Sequence, residues 1–275
     1  LLTEAETADR VRPAAGRRLG PLARQYDYWA TAYRRTWKGS VISSFLLPLL
    51  YLAAMGVGLG SLVDRNAGNE ALGGVSYLAY IAPGLLAATA MQTAVGEATY
   101  PIMGKIKWNY VFHAMVATPL RVRDIVVGQI GYIAFRVGTT CAVFLAVIAA
   151  FGAIHSPLGA LCIVVALLVG LAFGAPIFAL TARLDNDAGF ALIFRLAVIP
   201  MFLFSGVFFP VSQLPDGIQW LAYVTPLWHG VVMSRDLSLG VATVWPTLGH
   251  AAYLLVWSGV GTWLAVRGLT RRLIR

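Results

Sequence analysis

Long apolar runs alternate with short polar segments marked by Pro or Gly, from about residue 41 almost to the end of the chain. A membrane-crossing helix needs about 20 consecutive apolar residues, and the pattern predicts six. The first covers roughly 41–63, with Pro48 early in it and Gly56, Gly58 and Gly60 near its end. The second covers 77–98 and contains Pro83. The third has an unbroken apolar core from Val137 to Ile154, preceded by a less apolar helical lead from about Val122. The others run over 158–180, 188–209 and 245–266. Ahead of them, residues 1–21 read as a flexible tail. Leu22, Tyr26, Trp29, Tyr33 and Trp37 then recur at helical spacing, with Arg24, Arg34, Arg35 and Lys38 off that stripe. This predicts an amphipathic helix over 22–39, suited to lie in the headgroup layer. The expected fold is an all-α integral membrane protein, with residues 40–275 as one six-span unit.

Composition agrees. Of 275 residues, 59% are hydrophobic and only 12% charged, against about 25% charged in soluble domains. The net charge of +9 does not point to nucleic acid, because no basic-aromatic module accompanies it. The basic residues gather at the ends of apolar segments instead. Eight lie before the first span, four between the second and third (Lys105, Lys107, Arg121, Arg123), one after the fourth (Arg183) and four in the tail. Only Arg65 and Arg235 fall in the opposite set of loops. Seventeen against two predicts both termini on the cytoplasmic side. Cys141 and Cys162 sit inside apolar runs and read as small buried hydrophobes.

Two segments between spans stand out. In the loop after the second span, Ile106, Tyr110, His113 and Ala117, with Phe112 and Met115 nearby, suggest a short amphipathic helix over about 105–117. Thr118-Pro119 ends it, since Pro disfavours helix at the residue before it. It reads equally as a helix docking on a cytoplasmic partner or as an interfacial anchor. The second segment, from Pro210 to Gly240, is too polar to span and too apolar for an ordinary loop. Asp216 and Gln219 resemble a capping box, and Thr225 followed by Pro226 gives a second helix start. Two short helices are expected there. Trp220, Tyr223 and Trp228 suit an interface, as a cap over an exit path or as a plug without gating role.

Charges inside a membrane are costly and tend to be paired or functional. Glu97, Arg136 and Arg195 fall at similar depth, so a Glu97–Arg136 or a Glu97–Arg195 pair is expected; the alternative is that each Arg snorkels to lipid phosphate. Phe202, Phe204, Phe208 and Phe209 line an apolar route or simply pack helices. No catalytic or metal site is expected. His113, His155, His229 and His250 are scattered without metal-ligand spacing. Gly104-Lys105 is followed by Ile106, so the Ser or Thr of a nucleotide-binding loop is missing.

Three blocks together carry a resemblance. GEATYPIMGKIKWNYVFHAMVATPLRVRDIVVG (from Gly96), FLFSGVFFPVSQLP (from Phe202) and PLWHGVVMSRDLSLG (from Pro226) resemble the membrane subunit of type-2 ABC exporters. The branch in question includes nodulation-factor lipooligosaccharide and daunorubicin-type drug exporters. In the last block the match rests on Pro226, Leu227, His229, Val231, Arg235 and Gly240. The resemblance implies a multi-pass subunit of the bacterial inner membrane, working with a second permease subunit, identical or paralogous, and two copies of a separate ATPase subunit. ATP and Mg²⁺ would be bound by that ATPase and no cofactor by this chain. Lys105, Lys107, Trp108, Asn109, Phe112, His113 and Met115 would form the coupling helix. Pro210, Pro215, Trp220, Tyr223, Pro226, Trp228, His229 and Arg235 would belong to a re-entrant exit gate. The implied cargo is amphipathic: a lipid, a glycolipid or a hydrophobic drug. A membrane-embedded lipid-modifying enzyme is the other reading, and it needs polar residues clustered at one membrane depth.

Overall fold

A computed structural model describes residues 49–65 and 74–274, together with Leu46 and Leu72. The tail over 1–21 and the amphipathic helix expected over 22–39 lie outside the described residues. Every element among the described residues is helical. A π-helical run, Leu52–Leu59, leads into α1 (Gly60–Arg65). Then come α2 (Tyr77–Ala98), α3 (Tyr100–Met103), α4 (Val111–Val116), α5 (Val122–Ala150) and α6 (Cys162–Thr181). After them follow α7 (Ala188–Ile193), α8 (Ile199–Phe204), α9 (Asp216–Val224), α10 (Pro226–Leu239) and α11 (Val244–Leu273).

At the centre stands α2. Ser76 caps its start by accepting from the Ala79 N–H at 3.3 Å, and Ala79, Ala82, Gly84, Ala87, Ala88 and Ala94 keep its flanks slim. Small residues let neighbouring backbones approach, the usual device where helices meet in lipid. In its apolar stretch 83% of the residues are buried, against 39% for α5 and 56% for the stretch containing α6. Around α2, the long helices run in both directions. Arg136 and Gln129 of α5 meet Glu97 and Lys105 just where α2 ends, so α5 runs back beside it. Thr181, at the end of α6, donates to the Ala98 carbonyl at 2.8 Å, so α6 runs with α2. At the far end of α11, Arg272 donates to the Ala182 and Leu184 carbonyls at 3.0 and 2.6 Å. Lys105, Lys107, Arg183 and Arg272 therefore gather at one end of the bundle, and Arg235 sits at the other, beside Tyr80.

Two contacts require glycine. A Cβ on Gly261 of α11 would stand 2.5 Å from Cδ of Pro176, and one on Gly230 of α10 would stand 2.2 Å from a methyl of Val169. Both Pro176 and Val169 lie on α6, which is thereby pressed by α11 on one flank and α10 on another.

Among the described residues, three helical stretches are long and apolar enough to cross a membrane by length and composition: Tyr77–Trp108, Val122–Ala150 and Pro157–Thr181. The fifth and sixth expected spans depart from this, and residues 41–48 of the first lie, apart from Leu46, outside the described residues. Leu49–Val63 and Ala188–Phe204 are shorter apolar helices. The fifth was expected to reach residue 209 but ends at Phe204, because Gly206 takes a left-handed φ of +80° and turns the chain. At 1.5 Å per residue, Ala188–Phe204 is about 25 Å long, short of the roughly 30 Å hydrocarbon core. In contrast, α11 has 30 residues and runs past both expected ends, while its His, Trp, Gly and Thr residues dilute its hydropathy. The third span's helix stops at Ala150 rather than Ile154, and Gly152 at φ +72° follows.

Candidate functional site

At the basic end, α2 breaks at Thr99 and the chain continues through α3 into a π-helical turn, Gly104–Trp108. The single helix expected over 105–117 is not formed. Asn109 donates back to the Gly104 carbonyl at 2.8 Å, and Tyr110 adopts a left-handed φ of 51°, which reverses the chain before α4. The left-handed region costs a non-glycine residue about 1–2 kcal/mol. The expected stripe is split by this turn: Ile106 points inward, at 1% exposure, and Tyr110 outward, at 61%.

The expected docking residues divide accordingly. Trp108, Asn109 and His113 are exposed, and the Tyr110 ring meets His113 edge-on at 5.4 Å. Phe112 departs from expectation: it is fully buried against Phe178, with ring centroids 6.2 Å apart. Met115 is half-buried and packs on the core. Lys107 reaches across to the Asp185 carbonyl, fastening this corner to the loop after α6. Beside it, Ala182, Arg183, Asp185, Gly268, Arg271 and Arg272 line a shallow hollow of about 390 Å³.

Just inside that end lies a polar cluster. Arg136 Nε donates to Glu97 Oε1 at 2.8 Å, and both side chains are largely buried. Lys105 Nζ donates to Gln129 Oε1 at 2.8 Å and stands 5.4 Å from the Tyr132 ring centroid. The choice of partner for Glu97 is thus settled in favour of Arg136. Arg195, in the π-helical turn Phe194–Val198, is exposed and takes no part. Sequence reasoning missed Gln129. The available signal was its spacing of seven residues from Arg136, which puts both on one face of α5.

The opposite end carries the two short helices. Pro215, not Asp216, occupies the N-cap of α9. Asp216 is the first helical residue, where its charge complements the helix dipole. Gln219 donates to the Leu214 carbonyl at 2.7 Å instead of closing a capping box. The second start is as expected: Thr225 accepts from the Trp228 N–H, and Pro226 is the first helical residue of α10. Trp220 on α9 is 73% exposed. On α10, by contrast, Leu227, Val231, Met233 and Leu237 are buried, so this helix is a packed part of the bundle.

Arg235 ties that end together. Its Nε donates to the Tyr80 carbonyl at 3.1 Å and its Nη2 to the Gly206 carbonyl at 2.8 Å, while the guanidinium lies 3.7 Å over the Tyr80 ring. Phe202 and Phe208 pack edge-to-face at 5.1 Å and both meet Tyr51. Phe209 and Pro210 are half-buried in the turn that follows. Phe204 is different: with Leu196, Met201, Ile218 and Leu221 it lines an apolar hollow of about 220 Å³ between α8 and α9. The hydroxyls of Ser205 and Thr225 meet at 3.0 Å beside it. Two histidines that look scattered in sequence also come together: the Nδ1 atoms of His229 and His250 are 2.6 Å apart.

Comparison with known proteins agrees with this architecture. Residues 28–239 match the profile of the ABC-2 type transporter family. The chain is 34% identical over 256 residues to nodulation protein J of Rhizobium leguminosarum bv. trifolii, covering 90% of this chain and 94% of that protein. It is 32% identical over 254 residues to the protein of the same name from Rhizobium leguminosarum bv. viciae (90% and 95% covered). Against that of Rhizobium meliloti strain 1021 it is 30% identical over 255 residues (90% and 94%).

Proposed function

This chain belongs to the ABC-2 type transporter family, and we propose that it is the permease subunit of an ATP-driven exporter for an amphipathic substrate. Membership of a family of transport permeases sets aside the lipid-modifying-enzyme reading. In the proposed arrangement the basic end faces the cytoplasm, with both chain termini, as the positive-inside rule favours. The α9–α10 pair then lies at the outer end as a re-entrant cap. Two ATPase subunits, which bind the ATP and Mg²⁺, dock below, and a second permease subunit completes the pathway.

The observation that carries this reading is the Trp108–Tyr110 corner. It puts two large aromatic side chains, 58% and 61% exposed, at the end of the bundle where the basic residues gather. Aromatic anchors of this kind dominate protein interfaces. The corner is continuous with α2 through α3 and fastened to the loop after α6 by Lys107. A push on it reaches the two most buried helices directly. ATP binding shifts the permease between inward- and outward-facing states only if the ATPase contacts the two states differently, and this corner is placed to differ between them.

The cargo is taken to be a lipid, a glycolipid or a hydrophobic drug; the apolar hollow of about 220 Å³ at Phe204 is smaller than the roughly 300–1,000 Å³ of a drug-sized site, so it would hold only an apolar part of such a molecule. The test is co-reconstitution of the chain with its ATPase in proteoliposomes. The Trp108→Ala/Tyr110→Ala double variant is expected to keep its fold, lose about tenfold or more of substrate export and leave ATP hydrolysis running uncoupled. Export at the unaltered rate would remove the coupling assignment.

A further inference from the structure

His229 lies in the first turn of α10, and His250 lies in the second turn of α11. Their Nδ1 atoms stand 2.6 Å apart. That separation is a hydrogen bond, and it needs a proton on one nitrogen and a lone pair on the other. A pair with at least one neutral imidazole meets this condition. A doubly protonated pair presents two donors and two positive charges to each other, and the bond cannot form.

The surroundings make this contact a junction of three elements. The Tyr253 ring stacks on His229 with centroids 3.9 Å apart. Trp228 meets His229 at 5.0 Å, His250 at 5.3 Å and Tyr223 of α9 at 4.8 Å. Tyr253 also donates to the Val224 carbonyl at the end of α9. The ionisable groups around the pair are few. Tyr223 and Tyr253 flank His229, and Asp236 on α10 faces His250, with Arg235 as its neighbour. From the other elements packed on α10, α2 presents Tyr80 to Arg235, α6 presents Cys162 to the Ser234 carbonyl, and the turn before α6 presents the backbone of His155 to Ser238. Asp236 alone offers a negative charge among these, and it does not stand between the two rings.

We propose that His229 and His250 form a proton-sensitive latch that holds the α9–α10 pair against the last helix and releases it when both imidazoles are protonated. This rests on the proposed function for its placement at the outer face, where it would couple exit-gate opening to external acidity. Burial, and then the facing His250, hold His229 below its ordinary value, at about 4. A histidine held low in the closed state and ordinary in the open one favours closure above about pH 6.5, and that preference is lost as pH falls toward 4.

The test is amide hydrogen exchange of residues 216–240 in the full chain, inserted in phospholipid nanodiscs without the ATPase, from pH 7.5 to 4.5 and corrected for intrinsic rates. Nanodiscs expose both faces, so the result does not depend on orientation or on export, and failure of the exporter reading leaves this one intact. Wild type is expected to lose about tenfold in protection of this segment as pH falls, while the Tyr77–Ala98 segment keeps its own. His250→Gln and His229→Gln each remove one of the two rings and the repulsion between them, and each is expected to give a loss smaller than that of wild type. A flat wild-type profile overturns the proposal. So does a wild-type loss spread equally over α2, or a loss of wild-type size in either variant. Should one variant fail to insert, the other variant and the wild-type profile still decide.

Discussion

Glu97 and Arg136 show what a single pair contributes in this setting. Both side chains are largely withdrawn from solvent, so removing one partner leaves a charge with nowhere to go. Breaking such a pair costs about 3–5 kcal/mol, whereas replacing both partners together costs far less. Glu97→Gln is therefore expected to lower the midpoint of thermal unfolding in detergent, and Glu97→Gln/Arg136→Gln to recover most of the loss. Additive losses in the double variant would show the two to be independent. Gly261 gives a second residue-scale expectation. Its would-be Cβ overlaps backbone and ring atoms of Pro176, which cannot swing aside, so Gly261→Ala should destabilise by about 1–3 kcal/mol, measurable by the same unfolding experiment.

At the scale of elements, the connection between α2 and α5 separates two kinds of aromatic residue. Phe112 is fully buried and Trp108 is 58% exposed, although only four positions separate them. Phe112→Ala is expected to cost about 3–5 kcal/mol, with export falling only as folded protein falls. Trp108→Ala should change stability by less than about 0.5 kcal/mol while reducing export. Tyr110→Gly, which removes the left-handed penalty, should raise stability by about 1 kcal/mol. If Trp108→Ala unfolds the chain while Phe112→Ala does not, the turn at Tyr110 is misplaced. The same element shows why periodicity overreached. A stripe of Ile106, Tyr110, His113 and Ala117 is consistent with one helix on sequence grounds, but the reversal at Asn109–Tyr110 depends on Lys107 and Phe112 finding partners 78 and 66 positions away. No local pattern encodes that.

For the whole molecule, the packing of the long helices places the Lys105 corner and the α9–α10 pair at opposite ends. A cysteine introduced for Trp220 and one introduced for Asn109, both at exposed positions, should react with a membrane-impermeant maleimide from opposite sides of a sealed vesicle. Labelling of both from one side would overturn the topology. The sum over the bundle also explains why α10, so modest in hydropathy, is buried: Gly230 lets it approach α6, and Arg235 satisfies the Tyr80 and Gly206 carbonyls.

The order of apolar runs, the crowding of Lys and Arg on alternate loops, and the Thr225-Pro226 helix start were legible in the chain itself, because each follows from local composition and near-neighbour sterics. That order and crowding led to a helical membrane protein with a basic end, and the three motif blocks to its family. Which carboxylate faces which guanidinium, where the 105–117 segment turns, that Phe112 is core, and that His229 meets His250 are all matters of contact between distant positions. Only the packed bundle decides these, since the energy of a buried charge, ring or imidazole depends on what stands beside it in space.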